Sequence, residues 1–486
     1  MTTYIPKLPP REHQLVGLAK SRGKPGFGWL MDMGTGKTCT DLAETGELYY
    51  EQEIDACLLL APKGVYTNWE TDELPKHFSD QLYNDDSVRA IWRGGGTKAN
   101  RAEIDALFRD PGEKRLKFFS MNIEALGASD KAFDVAFEFV KRNKGRVKIA
   151  IDESTAIKNS TAVRTKAVIR LREYANYRRI LCGQPVPNGP MDLFSQIDFC
   201  QPGFLGKSFY SYKARYAVEQ ETFFGTRAVK QIVGYRDIQE LAKRIEPITF
   251  RKRKEECLQL PEQIYLPMRK VELTDQQRRI YQDVLDNATA RISGEDYVTA
   301  TLALTQILRL HQVLCGHVVD EEGKTHRLDS NRPKIMLEST EEMRGSGIIW
   351  ATYRDDIARI EETLRKAYGE NKVVSYHGGI SQEGRDIAKK KFQDGFANWF
   401  VGTPQAASRG LTLVRTSNSC YYSNSHNLDH RDQSESRTHR DGQHWPCVYD
   451  DIAVPGTVEV KIIEALRKKM DLASLVLQDG VRKWLI

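Results

Sequence analysis

Short apolar runs alternate with amphipathic helical patterns twice along this chain of 486 residues. Such alternation is typical of parallel sheets covered by helices on both faces. The predicted strands are 29–31, 56–60, 117–120, 147–151 and 179–182, then 347–351, 373–376, 399–402, 420–423 and 448–454. Helices are predicted between them, for example over 355–368 and 383–392. The sequence therefore predicts an α/β fold with two parallel-sheet lobes in tandem.

A long segment, residues 203–340, separates the two alternating halves and has the pattern of charged helices. It is too long for a simple crossover and contains the basic run 251–254. We expect a first lobe with a helical protrusion over 1–255, a mostly helical insertion over 256–345, and a second lobe over 346–486. A closing helix is predicted over 457–476, with no further domain after it.

Composition narrows the class of protein without identifying a partner. The chain is 40% hydrophobic and 28% charged, as expected of a globular protein, and its net charge of +6 is compatible with a polyanionic partner. Its eight cysteines include no Cys-x-x-Cys pair, which favours reduced thiols over structural zinc. The first ten residues lack a signal-peptide pattern, and the most apolar stretch, 56–61, is too short to span a bilayer. We expect no membrane segment and a cytoplasmic location.

A glycine-rich loop follows the first predicted strand and precedes a predicted helix. The loop residues are Gly34, Thr35, Gly36, Lys37 and Thr38. Met31 stands where the strict phosphate-loop pattern has its outermost glycine, so the stretch alone could be an ordinary Gly-rich turn. Its position between strand and helix favours a phosphate-binding loop, because the N–H groups there would point at anionic oxygens. Lys37 would bridge the outer phosphates of ATP, and Thr38 would bind Mg²⁺.

Two carboxylates, Asp152 and Glu153, directly follow the apolar run 147–151. At a strand's end they could hold a metal ion and an attacking water. We expect Asp152 to hold Mg²⁺, directly or through water, and Glu153 to orient or deprotonate the water. A surface pair that caps a helix is the alternative, and the upstream phosphate loop favours the catalytic interpretation.

A polar stretch far downstream, residues 433–440, includes Gln433, Arg437 and Arg440. The two arginines are three residues apart, so on a helix they would share a face and could reach one phosphate group. A solvated basic face is the alternative. We predict that these cations stabilise transition-state charge, as an arginine finger does, with two lobes closing on one nucleotide.

The chain resembles the Swi/Snf branch of the superfamily 2 helicases and translocases over nearly its whole length. The segments that carry the resemblance are 10–14, 60–69, 152–159, 181–188, 250–254, 306–317 and 437–443, the last matching Arg-x-His-Arg-x-Gly-Gln. The resemblance implies two RecA-like lobes, ATP and Mg²⁺ as cofactors, Arg11 and Gln14 at the adenine, and Gly410 in the nucleotide site. It also argues against a metal site of His311, Cys315 and His317.

Several positions depart from the family's usual residues. Ser154-Thr155 replaces Ala-His, Cys182 and Gln184 replace two threonines, and Ala407-Ser408 replaces two glycines. We expect nucleotide binding to survive these changes and the coupling of hydrolysis to DNA movement to be tuned differently.

The resemblance also implies a groove that grips the phosphates of double-stranded DNA without reading its sequence. The candidate residues are Lys63, Asn122, Tyr353, Arg354, His377, Gly378 and Arg409. The expected function is an ATP-dependent motor on duplex DNA, in a compact form similar to bacterial or bacteriophage motors of replication, repair or recombination. A strand-separating DNA or RNA helicase and a nucleic-acid-binding scaffold with weak ATPase activity are the alternatives.

Overall fold

The structure is a computed structural model. It describes residues 4–63, 65–109, 115–187, 189–224, 227–293, 300–320, 322–343, 345–407, 411–425 and 427–468. The chain divides into two compact units, Met1–Leu258 and Gln259–Ile486, so the expected insertion 256–345 falls almost wholly in the second. Among the described residues, no helix is both long enough and apolar enough to cross a membrane.

The first unit contains a seven-stranded parallel sheet with the order β3-β4-β2-β5-β6-β1-β9. The strands are β1 (Gly26–Met31), β2 (Ala56–Ala61), β3 (Ser87–Ile91), β4 (Leu116–Asn122), β5 (Val147–Asp152), β6 (Tyr177–Leu181) and β9 (Thr249–Lys252). A separate hairpin consists of β7 (Ala217–Phe224) and β8 (Arg227–Tyr235). The described helices are α1 (Glu12–Ser21), α2 (Lys37–Tyr50), α3 (Tyr66–Asn68), α4 (Leu74–His77), α5 (Asp80–Asn84), α6 (Lys98–Phe108), α7 (Ala125–Ala128), α8 (Asp130–Arg142), α9 (Val163–Arg172), α10 (Leu193–Cys200), α11 (Phe209–Tyr216) and α12 (Ile238–Ile245).

Both faces of this sheet are buried, which explains the continuous apolar runs in its central strands. Along β2, Leu58 and Leu60 pack into one hydrophobic cluster while Cys57 and Leu59 pack into another. Alternate side chains of a strand point to opposite faces, so each cluster lies under one layer of helices. Because the strands are parallel, their carboxyl ends lie at one edge of the sheet, which is where ligands of such folds bind.

The second unit contains another parallel sheet, with the order β10-β18-β17-β14-β16-β15 and β11 also paired with β18. The strands are β10 (Gln263–Tyr265), β11 (Arg269–Lys270), β14 (Gly347–Trp350), β15 (Val373–Tyr376), β16 (Trp399–Gly402), β17 (Asn418–Tyr421) and β18 (Cys447–Ala453), and β12 (His317–Val319) pairs separately with β13 (Thr325–Arg327). The described helices are α13 (Asp275–Ser293), α14 (Ala300–Cys315), α15 (Arg332–Glu342), α16 (Arg354–Tyr368), α17 (Gln382–Gln393), α18 (Pro404–Ala407), α19 (Leu428–Thr438) and α20 (Val458–Arg467).

The predicted fold class is confirmed, and every predicted strand coincides with a strand at most three residues away at either end. Two details differ. The segment 203–340 was expected to be mostly helical, but it includes the β7–β8 hairpin and the short strands β9 to β13. Strands β3 and β9 were not predicted, because β3 is only partly buried at its centre and β9 ends in the charged pair Arg251-Lys252.

Candidate functional site

The loop between β1 and α2 has the backbone that a phosphate loop requires. Gly34 and Gly36 have φ values of 84° and 89°, which favour glycine. A Cβ at Gly36 would lie 2.1 Å from Nε2 of Gln14, so a side chain there would collide as well. The loop leads directly into α2, whose first residue is Lys37. The free N–H groups at this helix start can therefore bind an anion.

The first turn of α1 is fastened to this loop. Oε1 of Gln14 accepts the backbone N–H of Arg11 at 2.7 Å, and Nε2 of Gln14 donates to the carbonyl of Thr35 at 3.3 Å. A ring nitrogen of His13 lies 2.9 Å from the same carbonyl. Gln14 is buried, whereas the side chain of Arg11 is exposed. The structure thus brings the two predicted adenine-binding residues to the phosphate loop.

Lys37 lies over the loop from which α2 begins. Its Nζ donates to the carbonyl oxygens of Met31 at 2.8 Å and Asp32 at 3.2 Å, and the side chain is 9% exposed. Thr38 follows as a half-buried residue of the first helical turn. A Cβ at Gly183, after β6, would lie 3.7 Å from this Nζ. The ends of β1 and β6 therefore lie together at the lysine.

Both oxygens of Asp152 accept a hydrogen bond at the end of β5. Oδ2 accepts from Nε1 of Trp69 at 2.9 Å, and Oδ1 accepts from the backbone N–H of Glu153 at 3.0 Å. Glu153 has a φ of 51°, one of the few left-handed conformations at a described residue other than glycine. Such strain persists where the surrounding structure enforces it and is common in active sites.

Electrostatics at Asp152 favour a nearby cation. Burial, and then the neighbouring charge of Glu153, raise the pKa of Asp152 to about 7, while the Trp69 hydrogen bond and the charge of Lys37 act in the opposite direction. Two adjacent carboxylates in a buried position repel each other, and a divalent cation bound there would relieve the repulsion. The residues present therefore fit a hard metal ion with oxygen ligands.

Arg251, on β9, contacts β1, the loop after β1 and the loop after β6. Its guanidinium forms an ion pair with Asp32 at 2.9 Å and donates to the carbonyls of Gly183 at 2.8 Å and Leu30 at 3.1 Å. The backbone N–H of Lys254 donates to the other carboxylate oxygen of Asp32 at 3.1 Å. The basic run 251–254 thus contacts the loop between β1 and α2. From the sequence alone, this run was interpreted only as part of the crossing between the two lobes.

One departure from the family pattern has a visible role. Oγ of Ser154 donates to Oε1 of Gln196 at 2.6 Å, and Nε2 of Gln196 donates to the carbonyls of Pro185 at 2.7 Å and Asp192 at 2.8 Å. Ser154 and Gln196 are both fully buried. The serine therefore links the Asp152-Glu153 pair to the loop after β6 through one amide side chain.

Two of the predicted DNA-binding residues lie together at neighbouring strand ends. Oε2 of Glu124 accepts the backbone N–H of Lys63 at 3.1 Å, and Oδ1 of Asn122 accepts the backbone N–H of Glu124 at 2.8 Å. Lys63 follows β2, and Asn122 ends β4, which is paired with β2. Both residues thus lie at the same edge of the sheet as Lys37 and Asp152.

The two arginines of the second unit do not share a helical face, and that expectation was wrong. Helix α19 ends at Thr438, so Arg437 is helical and Arg440 lies beyond the helix. Gly442, with a φ of 89°, lies in the turn that follows. Both side chains nevertheless converge, since each donates to the carbonyl of Leu411, Arg437 at 3.3 Å and Arg440 at 3.0 Å.

The other predicted residues of the second unit occupy varied environments. The hydroxyl of Tyr353 lies 2.9 Å from Nδ1 of His311, so it takes part in a hydrogen bond within the second unit. Arg354 is exposed at the start of α16. Burial lowers the pKa of His377, and Gly378 next to it is exposed. Gln433 lies half-buried on α19. Arg409 and Gly410 lie outside the described residues.

The cluster that could suggest a metal site in the second unit contains Glu459 rather than His317. The potential ligand atoms of His311, Cys315 and Glu459 lie within 4.8 Å of one another. Both carboxylate oxygens of Glu459 accept hydrogen bonds from Arg332, at 2.8 and 2.7 Å. Because the guanidinium already neutralises this carboxylate, the cluster is explained as a buried hydrogen-bond network.

Family models match most of the chain. The SNF2-related domain matches residues 27–318, more than half of the sequence. The chain belongs to the SNF2-related family. The helicase conserved C-terminal domain matches residues 331–442. Together the two matches cover the phosphate loop, the Asp152-Glu153 pair and both arginines.

Curated relatives of this SNF2-related chain are distant and longer. YwqA of Bacillus subtilis is 26% identical over 68% of this chain and 35% of YwqA. The DNA repair and recombination protein RAD54-like of Drosophila pseudoobscura pseudoobscura is 23% identical over 92% of this chain and 60% of that protein. The chain thus spans between about a third and three fifths of the length of these relatives. The Sulfolobus solfataricus SWI2/SNF2 ATPase core in complex with dsDNA is 22% identical, with a TM-score of 0.42 over 99% of this chain and 95% of that one.

Sequence reasoning about this SNF2-related chain missed three residues that hold the site together. Trp69 lies in the segment 60–69, one of those that carry the family resemblance, and Arg251 lies in the basic run, so both stood in segments already singled out. Their partners, Asp152 and Asp32, are distant in sequence, and no spacing indicated the contacts. Gln196 had no signal at all, because it lies on the apolar helix α10.

Proposed function

We propose that this chain is an ATP-dependent motor that translocates on double-stranded DNA. The observation that carries the proposal is the grouping of Lys37, Asp152 and Glu153 at one edge of the first sheet in a chain of the SNF2-related family. Lys63 and Asn122 lie at the same edge. A nucleotide site and a DNA-gripping surface on one rigid sheet are what a motor needs to couple hydrolysis to movement.

ATP would bind with its phosphates at the loop Gly34 to Lys37. The N–H groups at the start of α2 and the ammonium of Lys37 neutralise the phosphate oxygens. In the structure this ammonium donates to the carbonyls of Met31 and Asp32, which hold it at the mouth of the loop. Gln14 and Arg11, tied to the loop, would contact the adenine.

Thr38 and Asp152 would hold Mg²⁺. Both offer hard oxygen ligands, and the raised pKa of Asp152 fits a site that a cation completes. When bound, Mg²⁺ supplies positive charge to the β- and γ-phosphate oxygens. Glu153, fixed in a left-handed conformation beside Asp152, orients the attacking water and accepts its proton.

The negative charge that develops on the phosphate oxygens in the transition state would be stabilised by Arg437 and Arg440. Their guanidinium groups converge on one carbonyl. Gln433, on the same helix as Arg437, belongs with them in the proposed machinery. An arginine finger of this kind contributes roughly 10³ to 10⁵ in rate.

Duplex DNA would be gripped through its phosphates. The proposed contacts are Lys63, Asn122, Arg354, His377 and Gly378, with Tyr353 and Arg409 as further candidates. Phosphate contacts give affinity and register without sequence preference. Binding should therefore weaken steeply as salt rises.

Steady-state ATP hydrolysis tests the proposal, measured without nucleic acid and with duplex DNA, single-stranded DNA or RNA. Glu153→Gln serves as the background, because it retains the shape of the side chain and cannot accept the proton. We expect strong stimulation by duplex DNA. A preference for single strands would indicate a strand-separating helicase, and activity at the level of Glu153→Gln throughout would indicate a scaffold.

A further inference from the structure

Trp69 is a buried tryptophan whose indole contacts a carboxylate of the proposed site. Its indole N–H donates to Oδ2 of Asp152 at 2.9 Å, and the side chain is 1% exposed. The other oxygen of Asp152 is occupied by the N–H of Glu153. The indole is thus the side-chain group that fixes how this carboxylate is turned.

Trp69 lies close in sequence to a proposed DNA contact, Lys63. Lys63 follows β2, the short helix α3 covers Tyr66–Asn68, and a single π-helical turn covers Trp69–Glu73. Such turns are rare and are frequent at functional sites. The turn is also held by an ion pair of 2.6 Å between Glu70 and Arg89. A shift of the segment after Lys63 would therefore be transmitted to the indole.

We propose that Trp69 is a positioning residue that links duplex DNA bound at Lys63 to the orientation of Asp152. The inference deepens the proposed motor function and rests on it. In the bound state Lys63 is held by the phosphate backbone, the indole keeps its hydrogen bond, and Asp152 is turned toward the nucleotide. Hydrolysis is then fast only when DNA is present.

Trp29 provides a matched control. It is 0% exposed, lies in the same hydrophobic cluster as Trp69, and its Nε1 has no hydrogen-bond partner among the described residues. Trp69→Phe and Trp29→Phe remove the same atoms from the same cluster. Only Trp69→Phe removes a hydrogen bond to Asp152.

The experiment compares wild type, Trp69→Phe and Trp29→Phe in three measurements. These are duplex affinity by fluorescence anisotropy, kcat and KM for ATP with saturating duplex, and hydrogen exchange of a 147–157 peptide before and after duplex is added. For Trp69→Phe we expect unchanged duplex affinity, KM within about twofold, and kcat lower by about tenfold or more, as for a lost hydrogen bond to a charged group. The exchange change at 147–157 should disappear in Trp69→Phe and persist in Trp29→Phe.

The outcomes separate the two proposals. If duplex stimulates the wild type and Trp69→Phe behaves like Trp29→Phe, the role of Trp69 is refuted and the motor proposal stands. If duplex does not stimulate the wild type, the motor proposal fails and so does the link from Lys63 to Asp152. In that case a lower basal kcat at unchanged KM in Trp69→Phe alone would still support the positioning of Asp152 by Trp69.

Discussion

Lys148 is fully buried inside the first unit and is held by two acidic side chains of α2. Its Nζ lies 2.8 Å from Oδ1 of Asp41 and 3.0 Å from Oε2 of Glu44, and it donates to Oγ1 of Thr45 at 2.9 Å. Arg179, on β6, pairs with Glu44 at 2.7 Å. Although burial favours its neutral form, Arg179 and Lys148 hold the pKa of Glu44 at about 2.

Lys148→Met should destabilise the first unit by about 3–5 kcal/mol, because it leaves the carboxylate of Asp41 buried without its partner. This is a large part of the roughly 5–15 kcal/mol that stabilises a native domain. Glu44 keeps Arg179, so the cost falls on Asp41. Urea-dependent hydrogen exchange measures it unit by unit, and peptides from α2 and β5 should exchange roughly 150 to 5,000 times faster through unfolding. Peptides from β14 in the second unit provide an internal reference.

The pH dependence gives a second readout. Burial raises the pKa of Asp41 above its unfolded value, and the charge of Lys148 opposes that rise. Without Lys148 the pKa of Asp41 in the folded state rises further. The first unit then keeps its stability below the unfolded pKa of Asp41 and loses it as the pH rises through the folded pKa. The deficit of Lys148→Met should thus be larger at pH 8 than at pH 5.

Two further variants decide whether the reasoning holds. Lys166→Met removes an exposed lysine from α9 and should change stability by less than about 0.5 kcal/mol. Adding Asp41→Asn to Lys148→Met removes the uncompensated charge and should recover part of the loss. A Lys148→Met cost no larger than that of Lys166→Met, or one that does not vary between pH 5 and pH 8, would refute the argument.

Three other substitutions have clear expected outcomes. Arg332→Met strands the fully buried Glu459 and should cost the second unit about 3–5 kcal/mol, read by hydrogen exchange of peptides from α15 and α20. Gln14→Ala should weaken ATP binding in a fluorescent-nucleotide titration while the melting temperature changes little, since its amide bonds the loop rather than the core. Arg440→Ala should reduce hydrolysis by roughly 10³-fold or more and leave ATP binding nearly intact; near-normal turnover would remove the arginine from the proposed machinery.

The sequence predicted the sheets because burial on both faces leaves a local pattern. Runs such as 56–61 and 147–151 are continuous and apolar, and their ends are marked by motifs. β9 escaped prediction because its outer half, Arg251-Lys252, is charged and is stabilised by contacts with the phosphate loop. A strand that depends on distant partners has no periodic signal of its own.

The sequence marks the candidate site residues but not the contacts that hold them in place. Lys37, Asp152 and Glu153 were assigned from their motifs, and the roles of these residues stay proposals. The shared helical face of Arg437 and Arg440 was wrong, because spacing cannot reveal that α19 ends at Thr438. Their convergence on the carbonyl of Leu411 depends on a loop distant in sequence.

The buried ion network gives a physical reason why Lys37 and Asp152, two residues of the proposed nucleotide site, keep their relative positions. Lys148 and Asp152 point to the same face of β5, four residues or roughly 13 Å apart. Lys37 begins α2, and Asp41 and Glu44 follow it on that helix. If α2 slid along β5, the phosphate loop would move away from Asp152, and the same movement would break two buried ion pairs. Apolar packing tolerates such sliding more readily than paired buried charges do, because a separated charge has no solvent to replace its partner. The network therefore fixes Lys37 and Asp152 in register through residues that lie outside the proposed nucleotide site.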